Sequence, residues 1–173
     1  LADLLISESG ESYTGYGLFL DRCCKVLAVL SGLMLTLMAF MSLWSIGGRT
    51  LFDKALVGDY ELVQVMTAAA VGLALPYANW IGGHVIVDFF TAKAPVKTNA
   101  ALDGLAYLVM ALFSFLLAWR LMLGMLDLRV NMDASMLLSI PTWWGYLPLI
   151  PGFVLLGLTS LYKLQVNLRK ISS

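Results

Sequence analysis

Gly82-Gly83-His84-Val85-Ile86-Val87-Asp88 brings together the residue types best suited to chemistry, for the one histidine of the chain stands four positions before an acid where a long apolar run ends. On a helix, residues four apart share a face, so His84 and Asp88 could act as a pair on a lipid surface or on a partner. The plainer reading is an interfacial polar pair marking a membrane edge. The remaining charged candidates also gather at edges. Arg49, Asp53, Asp59 and Glu61 lie between the first two apolar runs, and Arg120, Asp127 and Arg129 follow the third. Such residues are ordinarily solvated anchors. Glu61 differs: directly before Leu62, its carboxylate suits the positive N-terminal end of a helix and could pair with Arg49.

Enzymatic chemistry finds little to work with. The sequence holds no GxxxxGK[ST] loop for nucleotide, no HExxH, no cysteine cluster for metal, and no nucleophile beside a base within the apolar runs. One histidine cannot form a bis-histidine haem site. Ser135 and Ser139 fall at the opposite edge from His84. Cys23 and Cys24 are adjacent, with no spaced partner, and read as small buried residues rather than a redox pair. The reading is a chain that is not an enzyme, with no catalytic, substrate or metal site and no cofactor of its own. Eleven basic residues balance eleven acidic ones, so no global field points to nucleic acid.

The elements that carry these residues are membrane spans. Apolar residues make up 60% of the 173 and charged ones 13%, more apolar surface than a soluble core can use. About 20 apolar residues cross a hydrocarbon layer of roughly 30 Å, and four stretches reach or approach that length: 26–48, 62–83, 104–126 and 142–164. The second carries Ala68, Ala70, Gly72 and Ala74 as small faces for close packing, and Pro76 to bend it. The third continues past Arg120, which can snorkel. In the uncharged stretch 134–162, Pro141, Pro148 and Pro151 predict a lead-in loop before the helix. Residues 1–21 read as a tail or a surface helix, and they lack the basic start of a signal peptide, so the first run is expected to be retained. Stretches 85–90 and 121–130 are expected to lie along the two interfaces as amphipathic segments. No repeat or composition shift marks a second domain, so 1–173 reads as one membrane domain.

Basic residues orient this all-α, four-span protein. Arg22, Lys25, Lys93, Lys97, Lys163, Arg169 and Lys170 fall on one side, against Arg49, Lys54, Arg120 and Arg129 on the other, which predicts both termini in the cytoplasm. Trp44, Tyr60, Trp119, Trp143 and Trp144 fall at the outer ends, and Tyr77, Trp80, Tyr107 and Tyr162 toward the inner ends, as interfacial belts do. The middle is nearly bare. Thr36, Ser42, Thr67 and Ser114 are its polar residues, and such hydroxyls usually bond back to their own helix. A carrier that works alone needs ionisable or unwound groups there, and only the prolines and small-residue faces keep open the alternative of a self-contained homo-oligomeric carrier or efflux protein.

Arg49 ending the first span, Glu61-Leu62 opening the second, His84-Val85-Ile86-Val87-Asp88 closing it and Ile140-Pro141-Thr142-Trp143 leading into the fourth form an ordered pattern. Over residues 21–164 it resembles the DctQ-like small membrane subunit of tripartite ATP-independent periplasmic (TRAP) transporters. The stretch Gly58-Asp59-Tyr60-Glu61 departs from the family in lacking its tryptophan and doubled acid. The resemblance implies a scaffold subunit in the bacterial inner membrane, contacting lipids and a large membrane subunit that holds the sodium and substrate sites. A periplasmic binding protein would deliver an organic acid. It also implies that Arg49, Glu61, His84, Asp88, Arg120, Pro141 and Trp143 serve subunit contact.

Overall fold

A computed structural model describes residues 15–52, 57–82 and 96–172. Four α-helices account for most of these residues: α1 (Gly15–Phe52), α2 (Asp59–Trp80), α3 (Val96–Val130) and α4 (Leu149–Ser172), with one 3-10 turn at Thr142–Tyr146 before α4. All four are long and apolar enough to cross a membrane.

Their lengths differ for reasons visible in the chain. α1 has 38 residues and no proline, so it runs for about 57 Å at 1.5 Å per residue. Among the described residues it begins at Gly15, so 15–21 run unbroken into the first long helix, and residues 1–14 lie outside the described residues. Nothing between Gly15 and Val26 breaks the helix, and Leu20, Asp21 and Cys24 turn one face of it inward. α2 follows Gly58, whose φ of +80° turns the chain, and carries Asp59 and Glu61 in its first turn, where the helix dipole favours acids. α3 continues unbroken past Arg120 to Val130. The stretch 121–130 is therefore a continuation of α3 and not a separate segment, because a lone Gly124 costs a helix only about 1 kcal/mol and no proline intervenes. Residues 85–90 lie outside the described residues.

The helices stand in a row instead of closing a square. α1 packs on α2, α2 on α4 and α4 on α3, so α1 and α3 form the two margins. α1 is the least buried of the four. The seam at the centre of the row is α2 against α4, and it is built from small residues. Pro76 has no N–H for the carbonyl of Gly72 one turn earlier, which frees that oxygen. Gly152 of α4 lies directly over it: a Cβ there would stand 2.2 Å from the Gly72 oxygen. Only a residue without a Cβ lets the two backbones approach this closely.

Candidate functional site

Two polar clusters tie this row together, one near each end of α2. At the Glu61 end, α3 stops at Val130 and the chain doubles back through 131–141. Met132, with φ of 52°, reverses it, and the Met132 and Asp133 amides donate to the Arg129 and Leu128 carbonyls. Ala134 and Pro141 then pair as a single antiparallel bridge. Inside this loop sits the Glu61 carboxylate. It accepts the Ser135 hydroxyl and the amides of Leu137 at 3.1 Å and Leu138 at 3.2 Å. The Leu138 side chain closes over Gly58, where any Cβ would fall 2.4 Å from its Cγ. Beside Glu61, Asp59 accepts the Ser45 hydroxyl of α1 at 2.6 Å. Two neighbouring acids thus bind the first turn of α2 to α1 on one side and to the α3–α4 connection on the other.

At the opposite end the central residue is Asn79. It is 0% exposed, and its amide nitrogen donates to Thr159 and Ser160 of α4, both at 3.0 Å. Those hydroxyls pass their own protons to the Leu156 carbonyl, which leaves them free to accept. Lys163 donates to the Asn79 backbone carbonyl at 2.7 Å and stands over the Tyr107 ring. Next to it the Trp80 indole donates to Asp21 at 2.8 Å, and Lys25 pairs with the same carboxylate. Leu20, Cys24, Trp80 and Leu155 form the apolar core beneath. The Asn79 amide oxygen has no hydrogen-bond partner among the described residues.

The residues singled out in the sequence meet different fates. Glu61 is bound, but to the 135–138 backbone and Ser135 rather than to Arg49. Arg49 is exposed in the last turn of α1, and Arg120 is exposed on α3. Pro141 makes the bridge to Ala134, and Trp143 lies half-buried beneath the Arg129 guanidinium, 5.7 Å from its ring centre. His84, Asp88 and Asp53 lie outside the described residues. Trp80 is buried and stacks on Tyr162 at 5.6 Å, so the aromatic residues expected as a belt at that end are instead partly core. Trp44, Tyr60, Trp119 and Trp144 at the Glu61 side do face outward. Asn79, Thr159, Ser160 and Asp21 were not singled out as polar ties, and Ser135 was weighed only as a nucleophile, not as a partner of Glu61. An amide inside an apolar run and an adjacent Thr-Ser pair in another were the available signal, since buried polar groups need one another.

Within the spans, most hydroxyls are already spent. Thr36, Thr67 and Ser114 donate to the carbonyls of Gly32, Val63 and Met110 in their own helices. Ser31 donates across to Ala70 at 2.7 Å. No group of three metal-ligating side chains occurs among the described residues.

Four apolar helices in an open row, cross-linked at both ends, define a multi-pass membrane protein built as a frame. The model of the family described as tripartite ATP-independent periplasmic transporters, DctQ component, matches residues 38–170, and the chain belongs to that family. No curated protein and no solved structure matches it. The family is one of transporter components, not of enzymes, and a tripartite transporter implies a large membrane subunit and a periplasmic binding protein beside this one.

Proposed function

We propose that this chain is the scaffold subunit of a sodium-coupled importer of organic acids, itself moving no solute. The large membrane subunit holds the sodium and substrate sites, and the binding protein brings the carboxylate. The assembly sits in the bacterial inner membrane with the Asn79 end of this chain, and both termini, toward the cytoplasm. One observation carries the reading: the hydroxyls of Thr36, Thr67 and Ser114 inside the spans bond to their own helices, and Ser31 to its neighbour, when a translocation path needs unspent polar groups near mid-membrane.

The row supports the same reading. An open arrangement leaves α1 with a broad apolar face, including Leu33, Leu37, Phe40 and Trp44, available to another membrane protein. His84 and Asp88 we assign to assembly, so alanine at either should reduce complex yield or uptake. Charge reversal at Arg120 should weaken docking of a partner. The direct test is expression beside the genomic neighbours: the chain should co-purify with a large polytopic protein. Purification alone, with uptake surviving its deletion, would refute the proposal.

A further inference from the structure

The 131–141 loop carries polar Asn131, Asp133 and Ser139 on its exposed flanks and an apolar tip. Met136 is 98% exposed, Met132 87% and Leu137 62%. A loop standing in water leaves amides to the solvent, but here most of them are bonded within the chain. Asn131, Met132 and Asp133 donate back to the last turn of α3. Ser135 and Ser139 donate to the Ile140 and Ser135 carbonyls, and Thr142 to Asp133. Leu137 and Leu138 donate to Glu61. Satisfying backbone donors internally is the condition for placing irregular chain next to hydrocarbon.

The height of the loop fits that environment. Glu61 belongs to the first turn of α2 and holds the loop level with Tyr60, which is 76% exposed. The Ser45–Asp59 bond puts the exposed Trp44 at the same level, and exposed Trp144 follows directly after the loop. Exposed tryptophan and tyrosine at one level are the signature of the headgroup layer. Arg129, at the loop's base, adds a cation over the Trp143 ring, the charge a headgroup phosphate would pair with.

We propose that the loop tip is seated in lipid, with Met132, Met136 and Leu137 entering the headgroup and upper acyl layer at the Glu61 end of the bundle. Flexible thioether side chains suit a disordered apolar neighbour. The proposal rests on the membrane-spanning fold and is independent of what the complex transports.

A nitroxide label at Met136→Cys, in the full chain carrying Cys23→Ser and Cys24→Ala and purified with any subunits it retains, reads this directly. In nanodiscs of phosphatidylethanolamine and phosphatidylglycerol, collisions with oxygen should exceed those with a water-soluble nickel complex several-fold. The depth should be about 5–10 Å, as for interfacial segments. Strong nickel collisions would put the tip in water, and loss of both kinds would put it under protein. Either result overturns the proposal. Leu137→Cys serves the same measurement should the first variant assemble poorly.

Discussion

The Glu61 carboxylate accepts the amide of Leu138, 77 residues later, while the Leu138 side chain covers Gly58 just ahead of α2. Backbone and side chain of one residue thereby fasten the α3–α4 connection to the turn that starts α2. Replacing Glu61 with alanine should accelerate hydrogen exchange at Leu137 and Leu138 several-fold, with the helix amides unchanged. Glu61→Gln keeps one acceptor oxygen and should fall between. Unchanged exchange in the alanine variant would mean the carboxylate does not hold the loop.

The seam between α2 and α4 depends on Gly152 lying over the Gly72 carbonyl. A methyl there meets backbone that cannot swing aside. Gly152→Ala should therefore destabilise the fold by about 1–3 kcal/mol in a thermal or denaturant melt. Gly32→Ala is the control, because a Cβ at that position meets nothing within 4 Å. Equal behaviour of the two variants would remove the seam from the account.

Asn79→Leu deletes two bonds between α2 and α4. Interhelical bonds in membrane proteins are worth roughly 0.6–1.7 kcal/mol each, so the loss should be about 1–3 kcal/mol. Thr159 and Ser160 keep their bonds to Leu156, which limits the damage to the lost pairings. A melt indistinguishable from the parent's would show that the cluster is not a tie.

The four spans were legible from apolar run length, because hydrocarbon thickness dictates it, whereas the sequence set 121–130 along an interface and the structure instead runs that stretch on as helix to Val130. The order of the row was not legible. It is decided by which small residues meet, Gly72 with Gly152, and four apolar sequences carry no label for their neighbours. Glu61 stood out by its position at a helix start, yet its true partners, Ser135 and the amides of Leu137 and Leu138, lie more than 70 positions away and are mostly backbone. Asn79 passed as part of a run end, since its importance comes from burial by α4.

On α1, Gly47 faces open space among exposed Phe40, Trp44 and Leu51. Gly47→Leu should leave the isolated chain folded, with an unchanged melt, and lower recovery of the large subunit in co-purification. Normal recovery would move the proposed contact off this face.

Uptake into proteoliposomes tests the central claim most directly, using the large subunit and binding protein with a sodium gradient and a labelled carboxylate, with and without this chain. Uptake should require all three components, and this chain alone should carry nothing. Solute flux through vesicles holding only this chain would contradict the account.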